Sequence, residues 1–194
     1  MSENATASEN VDLMAMNSLA SGEDRALTDI MERWKSRLIA YLLRFTGSEA
    51  AAIDLAQETF VRLYQARERF RPTASPNCFS SWIFGIAANL GRNHLRWQSR
   101  HPTLPLEDAG DPASLGDPSL SAETAERTEA IRSAIASLPT DLREALILSE
   151  YEALSQAEIA VIACCSVKAV ERRISHAREQ LRRELKSFLT KDNF

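Results

Sequence analysis

The chain has 194 residues, 23 Lys+Arg against 27 Asp+Glu, and a formal net charge of -4, enough for one large or two small domains with a real core. It contains no run of eighteen apolar residues, and its start lacks the basic n-region and apolar centre of a signal peptide, so no membrane span and a cytoplasmic location are expected. Cys78, Cys164 and Cys165 are odd in number and two are adjacent, which suits neither a disulfide framework nor a zinc site; reduced thiols, no metal and no cofactor are expected.

Charge divides unevenly along the chain. Residues 1–100 hold 12 Lys+Arg and 11 Asp+Glu, and residues 127–194 hold 11 and 10, so both are close to neutral. Residues 101–126 hold six acids (Glu107, Asp108, Asp111, Asp117, Glu123 and Glu126) and no Lys or Arg. Pro102, Pro105, Pro112, Pro118, Gly110 and Gly116 fall in the same stretch, a composition that cannot bury enough apolar area to offset its ordering entropy. The chain therefore reads as all-α: two small helical domains joined by a flexible acidic linker. Residues 1–20 form a partly disordered N-terminal segment, 21–100 the first domain, 101–120 the linker and 121–190 the second domain. Fully extended, about twenty residues reach roughly 70 Å.

An amphipathic segment around Val11–Leu19 precedes a long helix opened by Ser21, on which Leu27, Ile30, Met31, Trp34, Leu38, Tyr41, Leu42 and Phe45 keep helical spacing until Gly47. Ser48 caps a second helix running to about Arg67. Ala52, Ile53, Leu55, Ala56, Phe60, Leu63 and Tyr64 fill its inner side, and Asp54, Gln57, Glu58 and Arg62 gather opposite with only Val61 among them. From the residues alone that face is a solvated exterior or a docking surface. A loop with two prolines, Phe70 to Phe79, leads into a helix over Ser81–Trp97 with Phe79, Trp82, Ile83, Ile86 and Leu90 expected inside. Gly85, Asn89, Arg92 and Arg96 make a second stripe with Asn93 beside it. Asn and Arg read base edges and phosphates, and aromatic rings receive unstacked bases, so the stripe is a polar exterior or a nucleic-acid surface. Gly85, which costs a helix about 1 kcal/mol relative to Ala, suggests close approach of something to that face.

In the second domain Ser121 caps a helix with Ile131, Ile135 and Leu138 that Pro139 ends, and another spans roughly Thr140–Glu152 with Leu142, Ala145, Leu146 and Tyr151 inward. Ser155 with Glu158 three residues on is a capping box. After a break at Ala163–Ser166, a longer helix carries an apolar stripe of Val167, Val170, Ile174, Ala177, Leu181 and Leu185. Lys168, Arg172, Ser175, His176 and Glu179 project away from that stripe, with Arg173 and Arg178 on its flanks. A short helix crossing a longer one that displays basic and hydrogen-bonding groups is a helix-turn-helix, the geometry that enters a DNA major groove.

Four strings in this order, Asp54-Leu-Ala-Gln-Glu-Thr-Phe-Val-Arg62, Trp82-Ile-Phe-Gly-Ile-Ala-Ala-Asn89, Leu138-Pro139 with Leu142-Arg-Glu-Ala145, and Ser155 through Leu181, resemble a bacterial RNA polymerase sigma factor of the extracytoplasmic-function (ECF) type, the minimal form with regions 2 and 4. The resemblance covers about residues 20–190. It implies that Asp54, Gln57, Glu58 and Arg62 dock on the clamp helices of the largest subunit of core RNA polymerase. It further implies that Trp82, Asn89, Arg92, Asn93 and Arg96 meet the -10 element of promoter DNA, with loop 71–80 holding a flipped-out base. Lys168, Glu171, Arg172, Arg173, Ser175, His176 and Arg178 would meet the -35 element, and the acidic linker would enter the polymerase channel that RNA later occupies. An anti-sigma factor is a further candidate partner, and the free protein is expected to be a monomer. The family commonly has Gly where this chain has Cys164 and often Arg where it has His176, so the helix-turn-helix turn is expected to be altered locally and phosphate contact at His176 weaker. The three histidines occupy unrelated positions, no Gly-rich phosphate loop follows a strand and no paired carboxylates flank a nucleophile, so an enzyme is not expected. The competing reading is a dimeric helix-turn-helix regulator that binds operators without acting as a polymerase subunit.

Overall fold

A computed structural model describes residues 2–101 and 122–186; the acidic stretch 102–121, with its Pro/Gly content and the Ser121 cap, lies outside the described residues. The described residues form eight α-helices and no strand: α1 (Ser2–Ala20), α2 (Arg25–Thr46), α3 (Glu49–Gln65), α4 (Cys78–Arg100), α5 (Ala122–Ser137), α6 (Thr140–Glu150), α7 (Gln156–Ile162) and α8 (Val167–Glu184), with one 3-10 turn at Arg67–Arg69. Helices α1–α4 build the first domain and α5–α8 the second.

The expected apolar stripe organises α2: Ile30, Trp34, Leu38, Tyr41, Leu42 and Phe45 are buried. Gly47 ends it in the left-handed conformation (φ 76°), where its N–H donates to the Leu43 carbonyl at 2.8 Å. Ser48 then caps α3 by accepting from the Ala51 N–H at 3.3 Å. Ser21 does not open α2. Its hydroxyl donates back to the Asn17 carbonyl at 3.0 Å, and Asp24 precedes the first helical residue.

Where part of residues 1–20 was expected to be disordered, the structure has α1, packed on α2 and α4. Its inner face is half carboxylate, Glu9 and Asp12 with Met16 and Leu19, all buried, and the helix contains the amphipathic segment around Val11–Leu19. Asp12 accepts from Arg33 Nε at 2.8 Å and from Trp34 Nε1 at 2.9 Å. Glu9 accepts from the backbone N–H of Phe79 and of Ser80 and from the Ser80 hydroxyl. It thereby satisfies the open donors at the start of α4, whose own N-cap residue, Asn77, makes no side-chain capping bond. Burial raises the Glu9 carboxyl above its usual range, against the pull of those hydrogen bonds.

Helix α4 is longer than the sequence suggests, and Phe84, Ala87 and Ala88 join its buried face, while Trp82 and Ile86 are only partly covered. The glycine that packing requires on it is Gly91. A Cβ there would stand 2.6 Å from Phe45 Cδ1 of α2, whereas a Cβ at Gly85 would meet nothing within 4 Å.

In the second domain, Leu142, Ala145, Leu146, Ile147 and Leu148 of α6 pack with Ile159, Ala160 and Ile162 of α7 and Val170, Ile174 and Ala177 of α8. Tyr151, expected inward, is exposed and lies under the guanidinium of Arg44, 4.2 Å from its ring centre. Ile53 of α3, also expected inside, is exposed. The capping box is present in both directions: Ser155 Oγ accepts from the Glu158 N–H at 3.3 Å and Glu158 Oε2 from the Ser155 N–H at 2.7 Å. Cys164 takes φ 50° in the turn, the conformation glycine favours, and the Cys165 N–H closes the turn on the Ala160 carbonyl at 3.0 Å. The Cys164 thiol is exposed, not buried in the turn, and all three cysteines are unpaired.

The two domains are packed against one another, α2 on α5 and α6 and α4 on α7, and their buried side chains form one continuous cluster.

Candidate nucleic-acid and polymerase interfaces

On α3, Asp54, Gln57 and Arg62 are exposed and Glu58 half-exposed; Arg62 Nε pairs with Glu58 one turn back at 2.8 Å. Exposed Val61 and Ile53 flank these polar groups. The face is thus charged but carries two apolar side chains open to a partner, a composition that desolvates more readily than a purely charged one.

The loop before α4 is held from inside. The Thr73 N–H donates to Cys78 Sγ at 3.1 Å, and buried Phe70 lies against Trp82 with ring centres 4.8 Å apart. Trp82, Gly85, Asn89 and Arg92 line a cavity of about 920 Å³ with Phe70, Arg62, Arg69 and Arg71, closed on the far side by Val161, Ile162 and Cys164 of the second domain. The missing Cβ of Gly85 therefore opens space into this cavity and does not serve helix contact. Asn89, Asn93 and Arg96 are exposed; Arg96 donates to the Asn93 amide oxygen at 3.2 Å.

On α8, Lys168, Glu171, Arg172, Ser175 and His176 are exposed, and among the described residues none of their side chains has a polar partner. Arg173 and Arg178 differ from them. Arg173 is held to Asp141 of α6 at 3.2 Å and donates to Cys165 Sγ at 3.4 Å, and Arg178 pairs with Glu150 at 2.5 Å. Five of the seven predicted α8 residues are thus free, and two brace α8 on α6.

Sequence reasoning missed the charged groups that join the domains. Arg92 pairs with Glu144 of α6, and Arg37 Nε with Glu152 Oε2 at 2.7 Å. Arg143 donates to the Phe45 carbonyl at 2.8 Å. Glu158, already committed to the capping box, also accepts from the Ser75 hydroxyl at 2.6 Å and from Asn77 Nδ2 at 3.3 Å. Burial raises the carboxyls of Glu144, to about 7, and of Glu152 above the ordinary range in spite of their arginine partners. At Glu158 burial alone would do the same, but the hydrogen bonds from Ser75, Ser155 and Asn77 outweigh it and lower the carboxyl. The available signal was position: Glu144 sits within the inward run of α6, where a carboxylate needs a partner.

Two profile matches divide the chain as the geometry does: sigma-70 region 2 over residues 30–101 and sigma-70 region 4 over residues 128–181. The RNA polymerase sigma-H factor of Pseudomonas aeruginosa is 33% identical over 177 residues, covering 87% of this chain and 90% of its own. The chain belongs to the sigma-70 family. Among ECF members, the sigma-E factor of Escherichia coli K12 is 29% identical over 179 residues, 88% of this sigma factor and 92% of that one. In the solved complex of CnrH with the cytosolic domain of CnrY, CnrH superposes with a TM-score of 0.67 at 28% identity over 91% of this chain and 98% of its own. The RpoE of Bartonella quintana, solved with the anti-sigma factor NepR, shares the fold (TM-score 0.65, 23% identity, 82% and 96% coverage). This sigma factor is accordingly a transcription initiation factor of RNA polymerase and not an enzyme, and the dimeric-regulator reading falls. No described helix is long and apolar enough to cross a membrane.

Proposed function

We propose that this sigma factor docks on the clamp helices of core RNA polymerase through Asp54, Gln57, Glu58 and Arg62. On promoter DNA, Trp82, Asn89, Arg92, Asn93 and Arg96 read and help melt the -10 element. Lys168, Glu171, Arg172, Ser175 and His176 read the -35 element, with Arg173 and Arg178 beside them. The observation that carries this reading is the cavity lined by Phe70, Trp82, Gly85, Asn89 and Arg92: about 920 Å³, with aromatic, amide and guanidinium groups in its lining, and large enough for a base out of its stack. Glu158, Val161 and Ile162 of α7 complete the lining, so the domains must part before DNA enters. The acidic linker, residues 101–120, supplies the length to part them and suits the channel RNA later occupies. In this reading the closed form is the resting monomer in the cytoplasm, the form an anti-sigma protein would hold.

Transcription in vitro from sheared genomic DNA with bacterial core polymerase, with and without the protein, tests it by mapping RNA 5′ ends. New discrete starts preceded by a shared two-part motif are expected; no protein-dependent starts would overturn the reading.

A further inference from the structure

Beyond Gly91, α4 leaves its domain. Asn93 and every residue from Arg96 to His101 are exposed, and Trp97 keeps 57% of its surface in solvent. The indole is stacked on the imidazole of His101, centres 4.9 Å apart and planes at 21°. His101 Nδ1 lies 3.0 Å from the Trp97 carbonyl oxygen, which holds the imidazole parallel to the indole. The result is a flat, outward-facing aromatic pair on a projecting helix end.

Its surroundings are cationic. No Asp or Glu occurs between Glu68 and Glu107, a stretch that holds Arg69, Arg71, Arg92, Arg96 and Arg100. Among the described residues neither Arg96 nor Arg100 has a carboxylate partner. At 100° per residue Trp97 lies within about 40° of Asn93 and about 60° of Arg100, at the edge of the stripe that begins with Trp82. The two tryptophans stand about 22 Å apart along the helix at about 1.5 Å per residue, roughly six to seven nucleotide steps at about 3.4 Å each. The second domain covers a different side of α4, where Arg92, Leu95, Arg96 and Ser99 face Thr140, Asp141 and Glu144. The Trp97 face is therefore open with the domains closed.

Flat aromatic groups beside arginines that have no carboxylate partner suit a ligand that presents a π-face and phosphates together. A continuous duplex hides its base faces; a junction between paired and unpaired strands exposes one. We infer that the Trp97–His101 stack is a second base-stacking platform, which receives the base at the edge of the melted -10 segment while Arg96 and Arg100 hold the adjoining phosphates. This rests on the promoter reading proposed above and extends it to residues that reading leaves unused.

The test uses holoenzyme assembled from core polymerase and the full chain, bound either to a fork-junction promoter fragment with a single-stranded -10 tail or to the same fragment fully paired, with a scrambled-sequence fragment as reference. Trp97→Ala should weaken fork binding about 5- to 150-fold, the range of one lost base–aromatic stack. It should leave core-polymerase competition and initial binding to the paired fragment unchanged, and Trp97→Phe should restore most of the loss. A 2-aminopurine at the junction should be quenched by the native protein and brighten with Trp97→Ala. Equal fork affinity for Trp97→Ala and the native chain, or equal losses on fork and paired fragments, would overturn the platform. Native holoenzyme that does not prefer the promoter to the scrambled fragment would sink the promoter reading itself, and this inference with it.

Discussion

Arg92 of α4 and Glu144 of α6 form an ion pair across the domain boundary, with Glu144 almost wholly buried and Arg92 a quarter exposed. The same arginine lines the cavity proposed to take a -10 base, so in that proposal one guanidinium serves either domain closure or DNA. On the same proposal a phosphate replaces the carboxylate as its partner only when the domains separate, so promoter contact would be coupled to opening. Arg37–Glu152 and the Ser75 and Asn77 bonds to Glu158 clasp the same boundary, so the coupling does not depend on a single pair.

Glu144 makes stability pH-dependent. Its carboxyl titrates at about 7 in the folded protein against an ordinary 4.5, burial outweighing the attraction of Arg92. The folded chain keeps a proton that the unfolded chain has released, so this contribution is full below about pH 4.5 and is lost as pH rises through about 7. Between pH 5 and 8 the native protein should lose up to about 3 kcal/mol relative to Glu144→Gln. Urea unfolding of both proteins across that range measures the difference; parallel pH profiles would remove Glu144 as its source. Glu9 and Glu152 shift in the same direction in both proteins and cancel in the comparison.

Glu9 completes the start of α4 from seventy residues away. Glu9→Ala should cost about 1–2 kcal/mol, the scale of a lost N-cap with donors left open. Glu9→Gln, which keeps one acceptor oxygen, should cost less. Denaturant midpoints decide this, and a Glu9→Ala protein as stable as the native one would show that water caps α4 equally well.

Two glycines on one helix should respond oppositely. Gly91→Ala drives a methyl into Phe45 and should destabilise by about 1–3 kcal/mol. Gly85→Ala meets open space and gains helix propensity, so thermal stability should rise by roughly 0.5–1 kcal/mol. Because that methyl enters the cavity, promoter melting by the Gly85→Ala holoenzyme, read by permanganate reactivity, should fall while core binding stays intact.

The two proposed interfaces should separate by mutation. Arg172→Ala should weaken -35 recognition by about 1–3 kcal/mol if it makes a bidentate base contact, with core-polymerase affinity unchanged. Arg178→Ala, already engaged with Glu150, should cost less at the promoter. Asp54→Ala with Glu58→Ala should abolish competition for core polymerase against a housekeeping sigma factor and leave the α8 surface intact. Normal competition by the double variant would reduce that face to solvation.

Local order was legible in the chain because it depends on neighbours within a few residues. The stripe on α2, the Gly47 stop, the Ser48 cap and the Ser155–Glu158 box all follow from spacing and backbone hydrogen-bonding demand, and α8 shows its outward face from the sequence alone. The faces of α3 and α4 were visible as polar stripes without a partner, and the family resemblance supplied the partner. What only the tertiary structure decided involves groups far apart in the chain. Glu9 caps α4, Gly91 makes room for Phe45, and Arg92 meets Glu144. A buried carboxylate looks like a surface one in a sequence, because its partner is chosen by packing and not by spacing. Separate domains on a flexible linker and domains clasped together share one hydrophobic pattern; the difference lies in a few charged pairs, whose worth depends on the burial that only the folded chain creates.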